Sequence, residues 1–391
     1  MSNLHLNSAE IAKHYSSFRV SERTLLTGHS HQAWPDAALS GQQQAWQDAA
    51  NLIDNKWGVA FEKALKLKQF FATLIGDPTA ENYTLGTNTH ELLLRFLSAL
   101  DWSKGKRIIT TDGEFHSMRR QLSRLQEEGI EVIRVPVTPV DTLTERMSAE
   151  ITSETTAIMM SAVMFKDSSI VPNLNIIADA ANAQEIPLLV DAYHALNVVP
   201  FNLKANNLEQ AFIVGGGYKY CQFGEGNCFL RIPTDCKLRP VITGWYAEFG
   251  DIEQTGNPNI TQYSKGGDRF QGSTYDPTSH YRACSVIDFF TKQQYTPESL
   301  RELSQYQVGF LRDAFDALDC DTSKIARADV ALNSIGGFLA LKTNDAATIQ
   351  QALQARDIWT DQRDGYLRLG PAPYLSDSQL SDAILALGEI V

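Results

Sequence analysis

The chain has 391 residues, of which 43% are hydrophobic and 20% charged, with a formal net charge of -12. That balance describes a globular protein large enough for two domains, each with its own core. Its acidity, with no cluster of Lys and Arg, argues against a nucleic-acid or anionic-membrane partner, since both need a basic footprint, and leaves a small molecule as the expected ligand.

The first residues, MSNLHLNSAEIAKHY, show no basic segment followed by an apolar stretch. The longest apolar run, 157–163, is interrupted by Ser161 and is far too short to span a bilayer. A cytoplasmic protein without membrane contact is expected. The five cysteines, Cys221, Cys228, Cys236, Cys284 and Cys320, contain no C-x-x-C pair. They predict neither a disulfide framework nor a metal site, but reduced, mostly buried thiols.

In chain order, THELLLRFLSAL (89–100) predicts an apolar helix after the turn-like YTLGTN. Strands are predicted at 107–110, 131–137, 156–163, 187–191 and 211–215, with helices at 117–129, ending on Gly129, and 173–184, opening after Pro172. Such alternation specifies an α/β fold with a mainly parallel sheet sandwiched by helices. Beyond residue 285 the pattern changes to a helix over 297–318, a strand over 336–343, a helix over 345–356, the stretch GYLRLGPAP and a last helix from 377. The expected organisation is a large α/β domain over 21–284 and a smaller α+β domain over 285–391, joined by residues 1–20.

Ligands of open α/β sheets bind beyond the carboxyl ends of the strands, so polar residues just after an apolar run carry the most information. PLLVDAYHA places Asp191 there, with His194 three residues on, and AFIVGGGYKY places Tyr218 and Lys219 at the next such position. A buried lysine at a strand end suits Schiff-base chemistry, because desolvation frees its neutral amine to attack a carbonyl. Pyridoxal phosphate uses such a lysine together with a carboxylate that keeps the pyridine nitrogen protonated. Lys219 and Asp191 fit those two roles, against the plainer reading of one surface cation and one turn residue. The glycines 215–217 would let backbone and cofactor approach closely.

A phosphate needs a cradle, and Gly86-Thr87-Asn88 before a helix offers N–H groups and the positive dipole end, unless Asn88 or Thr89 is only an N-cap. Tyr218 and Thr274 offer hydroxyls. Arg368, in GYLRLGPAPY, is a fork suited to a carboxylate, or else a surface ion-pair partner. His90-Glu91 begins like a zinc motif, but position 94 is Leu. Neither a dinucleotide or nucleoside-triphosphate glycine motif nor a G-x-S-x-G elbow is present.

Taken together, VDAYHALNVVPFNL, GGGYKY and the stretches around them resemble the class V aminotransferase group of fold type I pyridoxal-phosphate enzymes, and within it the kynureninase family, over about residues 25–376. The resemblance implies that Lys219 carries the cofactor as a Schiff base, Asp191 pairs with its ring nitrogen and His194 lies close behind. It further implies that Phe115 stacks on the ring, that Gly86 and Thr87 form the phosphate turn, and that Ser161 and Tyr218 contact the cofactor. Arg368 would hold the substrate carboxylate. Trp245 and Thr274 match contacts supplied by a neighbouring subunit, which implies a homodimer with shared active sites.

The sequence departs from the kynureninase pattern where it has His29-Ser30-His31-Gln32, Phe115-His116-Ser117-Met118, Gly86 in place of Thr, and Tyr275-Asp276-Pro277. His29 and His31 are candidate substrate-pocket residues, although histidines in a polar loop are more often exposed. The expected reaction on an amino-acid substrate is kynureninase-like hydrolysis of a Cβ–Cγ bond, with transamination to a 2-oxo acid as the alternative. Cysteine desulfuration ranks lower because no cysteine stands near Arg368 in sequence, and a ligand-binding protein without turnover ranks lower still.

Overall fold

In the computed structural model, which describes residues 7–249 and 259–391, the alternating pattern becomes a seven-stranded sheet. Residues 1–6 of the N-terminal segment and 250–258 of the large domain lie outside the described residues. The strands are β1 (Tyr83–Gly86), β2 (Arg107–Thr111), β3 (Glu131–Val135), β4 (Thr155–Ser161), β5 (Leu188–Asp191), β6 (Phe212–Gly216) and β7 (Cys228–Arg231), in spatial order β1-β7-β6-β5-β4-β2-β3. All pairings from β6 to β3 are parallel, and β7 runs antiparallel to both β6 and β1.

The parallel strands are buried on both faces, which is why TTAIMMS reads as an unbroken apolar run. Their side chains divide by the pleat. Ile109, Ile158, Met160, Leu188, Val190 and Ile213 enter one hydrophobic layer, while Ile108, Ala157, Met159, Leu189, Phe212 and Val214 enter the other. Helices α3 (Thr89–Ser98) and α4 (His116–Glu127) cover the second layer through Leu92, Phe96, Met118 and Leu122. Helices α5 (Leu143–Ala149) and α6 (Leu174–Ala183) cover the first through Leu143, Met147, Ile177 and Ala181.

Two strands escaped the pattern. Residues 83–86, expected as part of a turn, form β1, and β7 is masked by Arg231, a cation at the end of a four-residue strand. Arg231 is tolerated there because Asp77 pairs with it at 2.7 Å and the carbonyls of Glu209 and Ala211 accept its remaining donors. Helices α1 (Ala37–Leu52) and α2 (Lys56–Leu74) are also absent from the expected elements. Their buried positions include Ala38, Gly41, Ala60 and Ala64, which give little periodic contrast with the exposed face.

Helix α7 (Thr278–Lys292) packs on α1 and α2, so the expected 284/285 boundary falls inside a helix. After it come α8 (Pro297–Ala317) and an antiparallel sheet of β8 (Ile325–Arg327), β9 (Leu339–Thr343), β10 (Asp361–Arg363) and β11 (Tyr366–Leu369), ordered β10-β11-β9-β8. Helices α9 (Ala346–Gln354) and α10 (Asp377–Gly388) complete this region. Capping boxes, Thr296 with Ser299 and Ser376 with Gln379, start α8 and α10. Thr24 and Leu25 pair in parallel with Ile358 and Trp359, which draws the N-terminal loop carrying His29 onto this sheet. Among the described residues no helix is long and apolar enough to cross a membrane.

Candidate active site

Strand order reverses between β2 and β4, and the candidate residues gather at the carboxyl ends there, as the crevice rule for open sheets requires. Register alone places Ser161 beside Asp191 and Asp191 beside Val214. Lys219 follows β6 by three residues and is 6% exposed. Its Nζ lies 2.7 Å from His194 Nε2, and Thr89, Phe115, Ser161 and Asp191 line the same pocket. The rings of Phe115, Tyr193 and Tyr218 stand 5.7, 5.4 and 5.4 Å from Nζ.

Burial, then the charge of Arg368, pushes the Lys219 ammonium down to about 7, against the opposing pull of Asp191 and Asp361. Burial pushes the Asp191 carboxyl up to about 6, although the Tyr193 N–H donates to it at 2.9 Å. Burial and then Lys219 hold His194 well below its ordinary value, and its Nδ1 is buried without a partner. A neutral nucleophilic amine, a buried carboxylate that a cation would stabilise, and aromatic walls are what pyridoxal phosphate requires, so the residues fit the cofactor.

The glycines serve a different purpose from the one expected. A Cβ on Gly216 would stand 2.3 Å from Tyr193 Oη, one on Gly217 2.3 Å from Phe223 Cδ2, and one on Gly215 2.6 Å from Leu196 Cδ1. Protein side chains, not a cofactor, fill the space the missing Cβ atoms leave. At the proposed phosphate turn Asn88 is an N-cap, its Oδ1 accepting from the Glu91 N–H at 3.0 Å. Thr89 faces the Lys219 pocket, whereas Gly86, Thr87 and Thr274 line a neighbouring cavity of about 440 Å³. Trp245 is 49% exposed, and neither it nor Thr274 lines the pocket around Lys219 within a single chain.

Glu114 was not singled out from sequence, although it directly precedes Phe115. It is buried and accepts from the Ser161 N–H at 3.1 Å, from Ser161 Oγ at 2.6 Å and from Thr111 Oγ1 at 2.6 Å, and burial pushes its carboxyl up to about 7. It fixes Ser161 at the rim of the pocket.

Arg368 reaches the site from β11. It is 4% exposed, so the surface ion-pair alternative does not apply. Its Nη1 donates to the Phe165 carbonyl at 2.5 Å, its Nη2 is ion-paired with Asp361, and its Nε is buried without a partner. Asp361, also missed from sequence, sits opposite Arg368 in the β10–β11 register. Of the two loop histidines, candidates for the substrate pocket, only His31 is exposed, stacked on Tyr218 with centroids 5.6 Å apart. His29 is fully buried, packed 4.3 Å from the Phe338 ring, with Nε2 3.6 Å from Asp361 Oδ2. The pairing of 24–25 with 358–359 accounts for this, because it presses the loop against Gly370, where a Cβ would stand 2.1 Å from His29 Nδ1.

Residues 40–208, less than half of the chain, match the DegT/DnrJ/EryC1/StrS aminotransferase family. The chain is 26% identical over 200 residues to a mitochondrial cysteine desulfurase of Arthroderma benhamiae, covering 50% of this chain but only 39% of that protein. It is 22% identical over 334 residues to the mitochondrial cysteine desulfurase of Candida albicans, covering 83% of this chain and 67% of that one. In three dimensions it is similar to the cystine C–S lyase C-DES in complex with its reaction product cysteine persulfide, with a TM-score of 0.82, 16% identity and coverage of 96% and 99% of the two chains. It is also similar to an apo cysteine desulfurase from Thermococcus onnurineus NA1, with a TM-score of 0.81, 14% identity and coverage of 100% and 99%.

The fold is that of the fold type I pyridoxal-phosphate enzymes. The chain thus has the fold of pyridoxal-phosphate enzymes and is similar over residues 40–208 to an aminotransferase family. The relatives named above are cysteine desulfurases and a cystine C–S lyase, and they do not support the closeness to the kynureninase family expected from the motifs.

Proposed function

We propose that this protein is a pyridoxal-phosphate-dependent enzyme that acts on an α-amino acid and breaks a bond at its Cβ, with sulfur-bearing amino acids as the first substrates to test. One observation carries the amino-acid reading: a buried amine, Lys219, lies within the electrostatic reach of a buried guanidinium, Arg368, which is bonded to the carbonyl of Phe165 on the wall of the Lys219 pocket. The first suits exchange with the substrate amine and the second suits its carboxylate. The bond at Cβ is supported by the relatives, which are named for cysteine desulfuration and for cystine C–S cleavage.

When bound, pyridoxal phosphate supplies an electron sink for negative charge at Cα. In this reading Lys219 anchors it and then moves the Cα proton on Nζ, with His194 Nε2 at 2.7 Å to share that proton. With the cofactor bound, Asp191 would hold its charge opposite the ring nitrogen, Phe115 would cover the ring, and Ser161, Thr89 and Tyr218 would hold its polar substituents. Gly86 and Thr87 belong to the phosphate end. Arg368 would orient the carboxylate, with His29 close to it through Asp361 and His31 at the exposed side against Tyr218.

Lyase chemistry suits the chain better than a persulfide relay through a cysteine. Cys228, whose thiol contacts Tyr193 Oη at 3.4 Å, is pushed up to about 11 by burial, and buried Cys221 is likewise pushed up, which leaves both poor nucleophiles. Transamination is the second reading, supported by the aminotransferase family match over 40–208. A homodimer is part of the proposal, with Trp245 and Thr274 completing the partner's site. Val241, Ile242, Trp245 and Phe249 are exposed, with the Trp245 and Phe249 rings 5.3 Å apart, and this is apolar surface that a second copy would cover. The free cysteines suit a reducing, cytoplasmic compartment.

The deciding experiment incubates the cofactor-loaded protein with L-cystine, L-cysteine, L-kynurenine and amino-acid/2-oxo-acid pairs. Pyruvate with persulfide supports the lyase reading. Alanine with protein-bound persulfide supports desulfuration, alanine with anthranilate supports Cβ–Cγ hydrolysis, and accumulating pyridoxamine phosphate supports transamination. No product from any sulfur amino acid overturns the first reading.

A further inference from the structure

Arg368 is the proposed carboxylate clamp, yet in the free protein its Nη2 already holds a carboxylate, that of Asp361. The pairing leaves two buried groups incomplete. Arg368 Nε has no acceptor, and neither ring nitrogen of the fully buried His29 has a hydrogen-bond partner, although Nε2 stands 3.6 Å from the same Asp361 Oδ2. Native structures leave few buried polar atoms unpaired, so two vacancies flanking one carboxylate point to an arrangement that a ligand completes.

A ligand carboxylate on the Nε and Nη2 edge of Arg368, in the paired geometry guanidinium favours, satisfies Nε and displaces Asp361. A shift of under about 1 Å then brings Asp361 within hydrogen-bond range of His29 Nε2. Asp361 has room for it, since it borders a cavity of about 380 Å³ with His31, Arg23 and Arg363. Arg363 and Arg368 both favour the ionised form of Asp361, so it stays a carboxylate in either position.

We infer that Asp361 is a positioning residue that holds Arg368 in the free protein and passes to His29 when the substrate's carboxylate docks. The inference rests on the reading of Arg368 as the clamp. Its consequence is selectivity, because an amine without a carboxylate has nothing with which to displace Asp361.

The test titrates the cofactor-loaded protein with glycine, the part common to α-amino acids, and with methylamine, its counterpart lacking the carboxylate, following the visible absorption of the lysine-bound cofactor. Asp361→Asn, which removes the internal competitor, is expected to bind glycine about fivefold more tightly relative to methylamine, a change of one modest interaction in a ratio from which the lost charge's effect on Lys219 cancels. His29→Leu, which removes the receiving partner, is expected to weaken glycine binding by about fivefold or more, again without affecting methylamine. Adding Asp361→Asn to His29→Leu is expected to restore glycine binding, a rescue that a purely structural role does not produce.

Weaker or unchanged glycine binding relative to methylamine in Asp361→Asn, or unchanged binding in His29→Leu, overturns the inference. Should Asp361→Asn fail to fold, judged by circular dichroism, His29→Leu decides alone. Arg368→Gln is the separate control: if it leaves glycine affinity intact, or if the native protein binds glycine no better than methylamine, the clamp reading itself has failed.

Discussion

Asp191, His194 and Lys219 stand after neighbouring strands of one parallel sheet, whereas Arg368, Asp361 and His29 come from an antiparallel hairpin and an N-terminal loop at opposite ends of the chain. In the first half, one short crossover over 192–211 joins two parallel neighbours and brings their ends together, so short motifs announce the chemistry. In the second, every contact depends on how the terminal segments dock, and polar satisfaction is left incomplete around Asp361. A site can therefore be half written in local sequence and half assembled by tertiary contacts.

Four substitutions or titrations set these halves against each other, beginning with the largest effect. Lys219→Ala should lose the visible band of the bound cofactor and cut turnover by about 10³-fold or more. A variant that keeps a borohydride-sensitive band would place the covalent anchor elsewhere. Arg368→Lys removes the planar fork while keeping charge, and the loss of a charge-assisted hydrogen bond, about 1.5–3 kcal/mol, should raise KM by about 10- to 100-fold. An unchanged KM in steady-state kinetics would separate Arg368 from the substrate.

Gly216→Ala asks whether the glycines serve packing. With a Cβ placed 2.3 Å from Tyr193 Oη, overpacking should cost about 1–3 kcal/mol in denaturant unfolding, and wild-type stability in this variant would contradict the close contact. The pH experiment links the two halves. Because the Lys219 ammonium is pushed down to about 7, its reactive neutral form is scarce below that pH and dominant above it. Capture of pyridoxal phosphate by the apo protein should rise through about pH 7 and then level off. Arg368 contributes to that lowering, so Arg368→Gln should move the midpoint upward. A midpoint that stays put would show the halves to be electrostatically independent.

The parallel core was legible because strands buried on both faces read as apolar runs. The expected 107–110, 156–163, 187–191 and 211–215 all lie within two residues of the observed strands. β7 was hidden because Arg231 breaks its apolar character, and only the structure shows Asp77 satisfying that cation. Helices α1 and α2 were hidden by their Ala-rich contact faces. Within the site, Lys219, Asp191 and His194 were legible from their positions after strands. Glu114 was a lone acid between a strand and an aromatic residue, and nothing local distinguishes a buried carboxylate with three donors from a turn residue. Thr89 offered only a capping signal.

By itself, the sequence determined the parallel core of the sheet and the lysine with its strand-end carboxylate, because periodicity and short-range succession carry that information through chain connectivity. Only the tertiary structure decided that Arg368 meets Asp361, that His29 is buried while His31 two residues away is exposed, and that the glycines make room for Tyr193, Leu196 and Phe223. The physical reason is that burial and pairing are set by segments distant in sequence, and a side chain's charge, orientation and pKa follow from those neighbours and not from its own place in the chain.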